Sequence, residues 1–339
     1  MICVGAVAAG ALASTGVASA SAGTISEAGS SLVYPIASVW ASHYPGGTVN
    51  TAAGGSSAGI KDVQTGQVDI GASDAPMTPS QFGTGSANYV QIPWGLSATG
   101  VGYNLPGIGT GLKLTGTILA KIYTGKITSW SDPSILALNK NFASKLKKDG
   151  KITPVFRSDG SGDSYAFQNY MAHAAPGVWV SGYGTSFPGP SNGVGENGNA
   201  GVAGEVKSNK GTIGYISGAY LLQQHISVAG IRNQAGSYEL PNISSILNAA
   251  ASNTTLTSQG SGFTGDSIVN ARKGFKTAYP ISTYTYAIVS QSDKNVSSVQ
   301  SFLDWVISRT GGQQYGVSLD FAPLPAKVIT ADQALINSL

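Results

Sequence analysis

Short β-rich runs alternate with helix-period apolar patterns along nearly the whole chain. That alternation confines the fold to α/β layering and excludes a sandwich or a bundle. After Pro35, which a first helical turn tolerates, Ile36, Val39 and Trp40 follow i, i+3, i+4 and predict a helix from near Leu32. Ile60 and Val63 mark a short helix opening at Ser57-Ala58-Gly59, and Val68 to Ala72 reads as a strand. Residues 97–105 read as another strand, followed by a helix carrying Ile118, Leu119, Ile122 and Tyr123. Phe167, Tyr170, Met171 and Ala174 place a helix soon after Gly162. The clearest stripe is Val299, Phe302, Leu303, Val306 and Ile307, which Gly311-Gly312 ends. Residues 181–204 and 250–267, rich in small and polar residues, read as exposed loops, and no internal repeat is visible.

A chain of 339 residues is long enough for two domains with their own cores. Only 10% of it is charged, against roughly 25% in an average soluble domain, so Ser, Thr, Asn, Gln and Gly must cover the surface. The net charge of +3 is too small and dispersed for a polyphosphate-binding face, and no nucleic-acid partner is expected. The lone cysteine, Cys3, lies in residues 1–22, a run of small residues ending Ala18-Ser19-Ala20-Ser21-Ala22. Small residues at alternate positions fit a signal-peptide cleavage site; a disordered tail or a short anchor would account for the run as well. Once that segment is removed, the mature chain has no thiol or disulfide chemistry. No later apolar run approaches the ~20 residues of a membrane span, so an exported, soluble chain, periplasmic or associated with the cell surface, is expected.

Three Gly/Ser clusters lie directly upstream of predicted helices: Gly29-Ser30-Ser31-Leu32, Gly54-Gly55-Ser56-Ser57-Ala58-Gly59 and Asp159-Gly160-Ser161-Gly162-Asp163-Ser164. A helix N-terminus presents unpaired N–H donors and partial positive charge, glycine admits a ligand to the backbone, and serine adds a hydroxyl. For any one cluster taken alone, ordinary helix capping is the simpler reading. Three of them, with Arg157 just before the last, point to a converging oxyanion site. Asp74 follows the predicted strand at 68–72, where loops of an α/β sheet collect functional groups; an ordinary turn or cap role would also place an Asp there. A carboxylate beside an anion site makes sense when the anion carries a proton. Phosphate does, because one of its ionisations lies close to neutral pH, whereas sulfate arrives with no O–H.

These clusters occur in order with further motifs: Glu27-Ala28-Gly29-Ser30-Ser31, Gly55 to Lys61, Val68 to Pro76, Leu119 to Trp130, Arg157 to Gly162, Gly211-Thr212-Ile213-Gly214-Tyr215 and Ala322-Pro323-Leu324-Pro325. Together they resemble the phosphate-binding proteins of bacterial high-affinity phosphate ABC importers, over nearly the whole chain after residue 22. The resemblance implies a two-lobe periplasmic-binding-protein clamshell of type II-like form with two hinge crossings. One lobe would comprise residues 23–97 and 283–339 and the other residues 98–282. It implies a monomeric receptor that holds inorganic phosphate in the cleft without a cofactor or metal and docks on the membrane permease of an ABC importer.

Residue by residue, the resemblance assigns phosphate binding to Ser31 and the Leu32 N–H, Ser56, Asp74, Arg157, Ser161 and Gly162, with Arg157 held by Asp74. Leu32 stands where some members carry an aromatic residue. Asp163 stands where many carry Thr, so an acceptor replaces a donor hydroxyl. Either Asp163 caps its own helix and faces solvent, or it faces the cleft and two carboxylates flank the anion. In the second case binding persists or strengthens below neutral pH.

A secreted phosphatase is the main rival, yet Asp159 and Asp163 occupy the positions where a G-x-S-x-G nucleophile elbow needs glycines. His43, His173 and His225 lie in unrelated contexts, and no H-E-x-x-H, C-x-x-C or P-loop appears. Asp159-x-Ser161-x-Asp163 opens like a calcium loop, but its twelfth position is Tyr170 and not Glu. Two further rivals are a phosphate-sensing or adhesion protein on the same scaffold and a receptor for a different oxyanion such as sulfate or molybdate.

Overall fold

The computed structural model describes residues 23–82, 89–253 and 267–339. The signal-peptide reading of residues 1–22 and most of the loop expected at 250–267 lie outside the described residues. The chain begins with β1 (Ile25–Gly29), α1 (Tyr34–His43), β2 (Val49–Ala53), α2 (Ser56–Gln64) and β3 (Ile70–Ser73). Here β1 lies between β2 and β3, parallel to both. Pro35 sits in the first turn of α1, which buries Ile36, Ala37 and Trp40. Helix α2 lies directly on the strands because Gly59 has no side chain: a Cβ there would meet the Ala72 carbonyl oxygen at 2.5 Å and that of Ala28 at 2.8 Å.

The next strand, β4 (Tyr89–Tyr103), is buried along all 15 residues. Beyond it come β5 (Lys113–Leu114), α3 (Gly116–Tyr123), α4 (Pro133–Leu138), α5 (Ala143–Asp149), β6 (Thr153–Arg157) and α6 (Gly162–Ala174). They are followed by β7 (Val194–Glu196), α7 (Gly198–Ser208), β8 (Thr212–Ser217) and α8 (Gly218–Gln223). The short strands β9 (Ser227–Val228), β10 (Gly230–Arg232) and β11 (Tyr238–Glu239) lead to α9 (Ile243–Ala251). The chain closes with β12 (Ser282–Ser290), α10 (Val296–Ile307) and α11 (Ala326–Asn337).

One strand ties the two lobes together. Residues Tyr89 to Ala98 of β4 pair antiparallel with β12, which itself pairs with β3. From Thr99 to Tyr103 the same strand pairs with β8, and so with β6 and β7. The sheet therefore runs β2-β1-β3-β12-β4-β8-β6-β7. Its register shifts between Thr285 and Tyr286, opposite Pro93-Trp94-Gly95. A proline that cannot donate to a ladder fits at such a bulge. Trp94 packs against Trp40 with tilted rings 5.3 Å apart at their centroids, and the Trp40 indole N–H donates to the Gly312 carbonyl at 2.9 Å.

The Leu119 to Trp130 motif and the Ala322 to Pro325 motif serve packing. The Tyr123 hydroxyl donates to the carbonyls of Val155 and Ile213 on adjacent strands, at 3.1 and 3.2 Å. The Trp130 indole donates to Gly211 at 3.1 Å, and the Ala322 N–H donates to Leu96 at 2.8 Å. The structure also departs from the loop expected at 181–204. That stretch contains β7 and the start of α7, and Asn199 is fully buried.

Glu27 on β1 is buried, and its Oε2 has no hydrogen-bond partner among the described residues. Burial pushes its carboxyl up from 4.5 to about 8. A folded-state value above the unfolded one means the native state binds the extra proton between them, so stability is greatest below the lower value and declines toward the higher. Unfolding free energy measured by chemical denaturation should fall as pH rises from 4.5 to about 8, and Glu27→Gln should flatten part of that slope.

Candidate functional site

Strands β1, β3 and β6 deliver their C-terminal ends to one place, as parallel strands in an open α/β sheet do. After β1 the chain enters Ser30-Ser31-Leu32, after β3 it enters Asp74, and after β6 it enters Ser158 to Ser161 ahead of α6. The Ser161 hydroxyl caps α6 by accepting from the N–H groups of Asp163 and Ser164, at 3.0 and 3.4 Å. Asp163 is therefore not the cap.

Asp74 is buried at 2% exposure and surrounded by hydroxyls. The Ser30 O–H is shared between its two carboxylate oxygens at 2.7 and 2.6 Å, and the Ser56 O–H lies 3.4 Å from Oδ2. Ser56 Oγ also accepts from the Asp74 N–H at 3.2 Å. Burial and the charge of Asp163 push the Asp74 carboxyl up to about 7, against the opposing pull of Ser30, Thr285 and Arg157. Ser30 also accepts from the N–H groups of Leu32 and Val33, so the Leu32 N–H is part of the same knot.

Arg157 is almost wholly buried, and two carboxylates hold it. Its Nε donates to Asp159 Oδ1 at 2.6 Å, its Nη2 to Asp159 Oδ2, and its Nη1 to Asp163 Oδ2 at 3.1 Å. This corrects the expectation that Asp74 holds Arg157. The guanidinium extends back along its own loop, two residues to Asp159 and six to Asp163, and makes a fork that matches Asp159 in bidentate fashion. Burial opposes ionisation of Asp159, but the hydrogen bonds and charge of Arg157 prevail and hold it below the usual range.

Asp163 is fully buried and faces the same interior. Its Oδ1 accepts from the Thr99 hydroxyl at 2.7 Å and its Oδ2 from the Asn199 amide at 2.6 Å. Burial pushes its carboxyl up, while Arg157, Thr99 and Asn199 pull it back. Asn199 goes on to donate to Ser31 Oγ from both its backbone and its side chain, each at 3.1 Å, and accepts from the Ser217 N–H at 2.7 Å.

The loops meet across the cleft through backbone and hydroxyl groups. The Gly162 N–H donates to Ser56 Oγ at 3.0 Å, and the Ser57 N–H donates to the Gly160 carbonyl at 3.0 Å. All eight residues named from the sequence, Ser31, Leu32, Ser56, Asp74, Arg157, Ser161, Gly162 and Asp163, belong to this one network. Ser30, Thr99, Asp159 and Asn199 join it, although the sequence assigns them no role. Ser30 stands inside a recognised cluster, and Asp159 two places from Arg157; Thr99 is hidden in a fully buried strand, and Asn199 in a Gly/Asn-rich stretch with the composition of a loop. Among the described residues no group of three or more His, Cys, Asp or Glu side chains is placed to hold a metal ion.

A sequence profile of the PBP superfamily domain matches residues 15–310. The phosphate-binding protein PstS of Xylella fastidiosa is 34% identical over 317 residues, 91% of this chain and 84% of that relative. PstS of Haemophilus influenzae is 35% identical over 320 residues, 92% of each chain. The chain belongs to the PstS family. Solved structures agree on the two-lobe fold of the family. The phosphate-binding protein of Stenotrophomonas maltophilia superposes with a TM-score of 0.71 at 18% identity, covering 92% of this chain and 93% of that one. A Clostridium perfringens substrate-binding protein of a phosphate ABC transporter, with bound phosphate, gives 0.62 at 20% identity, covering 89% and 100%.

Within this PstS-family fold, Gly162 makes one of the close approaches across the cleft. A Cβ there would lie 2.5 Å from Asp74 Cβ and 2.8 Å from its Cα, contacts that backbone must move to relieve. Overpacking of this kind costs about 1–3 kcal/mol. A thermal melt of Gly162→Ala should therefore show a lower midpoint than the parent.

Proposed function

We propose that the protein binds inorganic phosphate between its lobes, outside the cytoplasmic membrane, and delivers it to the permease of an ABC importer. The observation that carries this reading is Asp74: a buried carboxylate set among serine hydroxyls, in a network that also holds backbone N–H groups and one guanidinium. The neutral donors and Arg157 suit an oxyanion's oxygens, and Asp74 suits an oxygen that carries a proton. Near neutral pH that combination favours phosphate over sulfate.

The switch of β4 from β12 to β8 after Ala98 supports a division into residues 23–97 with 283–339 and residues 98–282. Donors from both sides, Ser30, Ser31 and Ser56 from one and Arg157, Ser161 and Gly162 from the other, must meet a single anion, so closure of the lobes is the binding event. Export is supported by the small-residue segment at the N-terminus, and among the described residues no helix is long and apolar enough to cross a membrane. The function is capture and release, not hydrolysis. His43 and His173 bond backbone carbonyls at 2.9 and 2.8 Å in the last turns of their own helices, and the Ser161 oxygen is engaged as a helix cap.

Titration calorimetry with phosphate and sulfate tests the reading. The parent should bind phosphate and exclude sulfate, and Asp74→Asn should narrow that discrimination. Ser56→Ala and Ser161→Ala should each weaken phosphate binding roughly tenfold, the scale of one hydrogen bond to a charged group. Arg157→Ala should weaken it at least about 100-fold, since it also leaves Asp159 and Asp163 buried beside no cation. Unchanged phosphate affinity in Arg157→Ala would remove the site assignment.

A further inference from the structure

Building on the phosphate reading, the charges in the cleft point to the protonation state of the ligand. One guanidinium stands against three carboxylates: Asp159 and Asp163 pair with Arg157, and Asp74 lies across the cleft with serine hydroxyls as its neighbours. With all three carboxylates ionised the cluster already has two negative charges in excess. A dianion would enter a buried, net-negative site, where repulsion is weakly screened. A monoanion with two O–H groups brings less charge and two donors, and two interior carboxylates are present to accept them.

We propose that Asp163 acts with Asp74 as a second proton acceptor, so that the bound state holds two protons among phosphate, Asp74 and Asp163: the equivalent of monobasic phosphate between two carboxylates. The titratable and charged groups facing Asp163 are Arg157 on β6, Asp159 in the following loop, Asp74 beyond β3, Tyr215 on β8 and Tyr220 on α8. Both tyrosines are pushed above their ordinary value by burial, so they stay neutral near neutral pH. Asp159 uses both oxygens on Arg157 and a third contact on the Gly198 N–H at 3.1 Å. That leaves Asp74 and Asp163 as the interior groups that share protons with the ligand. Among the described residues Asp163 Oδ1 accepts from the Thr99 hydroxyl alone, so a second lone pair on that oxygen is open to an O–H donor.

The consequence is proton uptake on binding. At mildly alkaline pH free phosphate is mostly dibasic and carries one proton, so a two-proton complex must take the other from solvent. The test is titration of the full protein with inorganic phosphate, in two buffers of different ionisation enthalpy. Near pH 8, about one proton should be taken up per phosphate, and affinity should strengthen by up to about tenfold per pH unit as pH falls toward neutrality, then level off. In Asp163→Thr and Asp163→Asn both the uptake and the pH slope should shrink toward zero. The measurement on the parent needs no variant and stands even if a substitution impairs folding. No proton uptake by the parent, or the same uptake in Asp163→Thr, overturns the proposal while phosphate binding stands. Absence of phosphate binding at every pH overturns the phosphate reading itself, and this inference with it.

Discussion

Arg157 is buried with a formal charge, and much of the cleft is organised around meeting that demand. Removing a guanidinium from water is costly unless each direction of its fork finds a partner. Asp159 takes one edge and Asp163 another, and the two acids need support in turn. Thr99 and Asn199 supply it to Asp163, and the Gly198 N–H supplies it to Asp159. The end of β6, the start of α6, the start of α7 and the crossing strand β4 are therefore held in one relation by a single cation. In a chain with so few charged residues, these ionic contacts work through position and not through number.

The helices with strong apolar stripes were legible in the sequence. The spacing of Phe167, Tyr170 and Met171 corresponds to α6, and that of Val299, Phe302, Leu303, Val306 and Ile307 to α10. Strand β4 was only half legible: Pro93 and Gly95 break the β pattern at the place where the ladder needs a bulge, so only its second part looked like a strand. Helix α7 buries just Val202, Ala203 and Val206 with Asn199, too thin a stripe to stand out among glycines.

At the site, local signals were readable and pairings were not. A Gly/Ser cluster ahead of a helix announces donors whatever the helix later packs against. Which carboxylate meets Arg157 depends on how the loop after β6 curls back, and nothing in the spacing separates Asp74 from Asp163. The role of Thr99 follows from strand register, which brings residue 99 beside the start of α6. The role of Asn199 follows from how α7 packs on β6 and β8, a relation formed only in the folded sheet.

Around Asp74 and Arg157 the groups that face one another are serine hydroxyls, glycine backbone, amides and charged side chains. Such walls are wetted as readily as they are joined. When the halves part there, water can take the place of each broken polar contact. In a receptor built this way, opening exchanges hydrogen bonds between the halves for hydrogen bonds to water, so the polar contacts themselves set only a small difference between grasp and release.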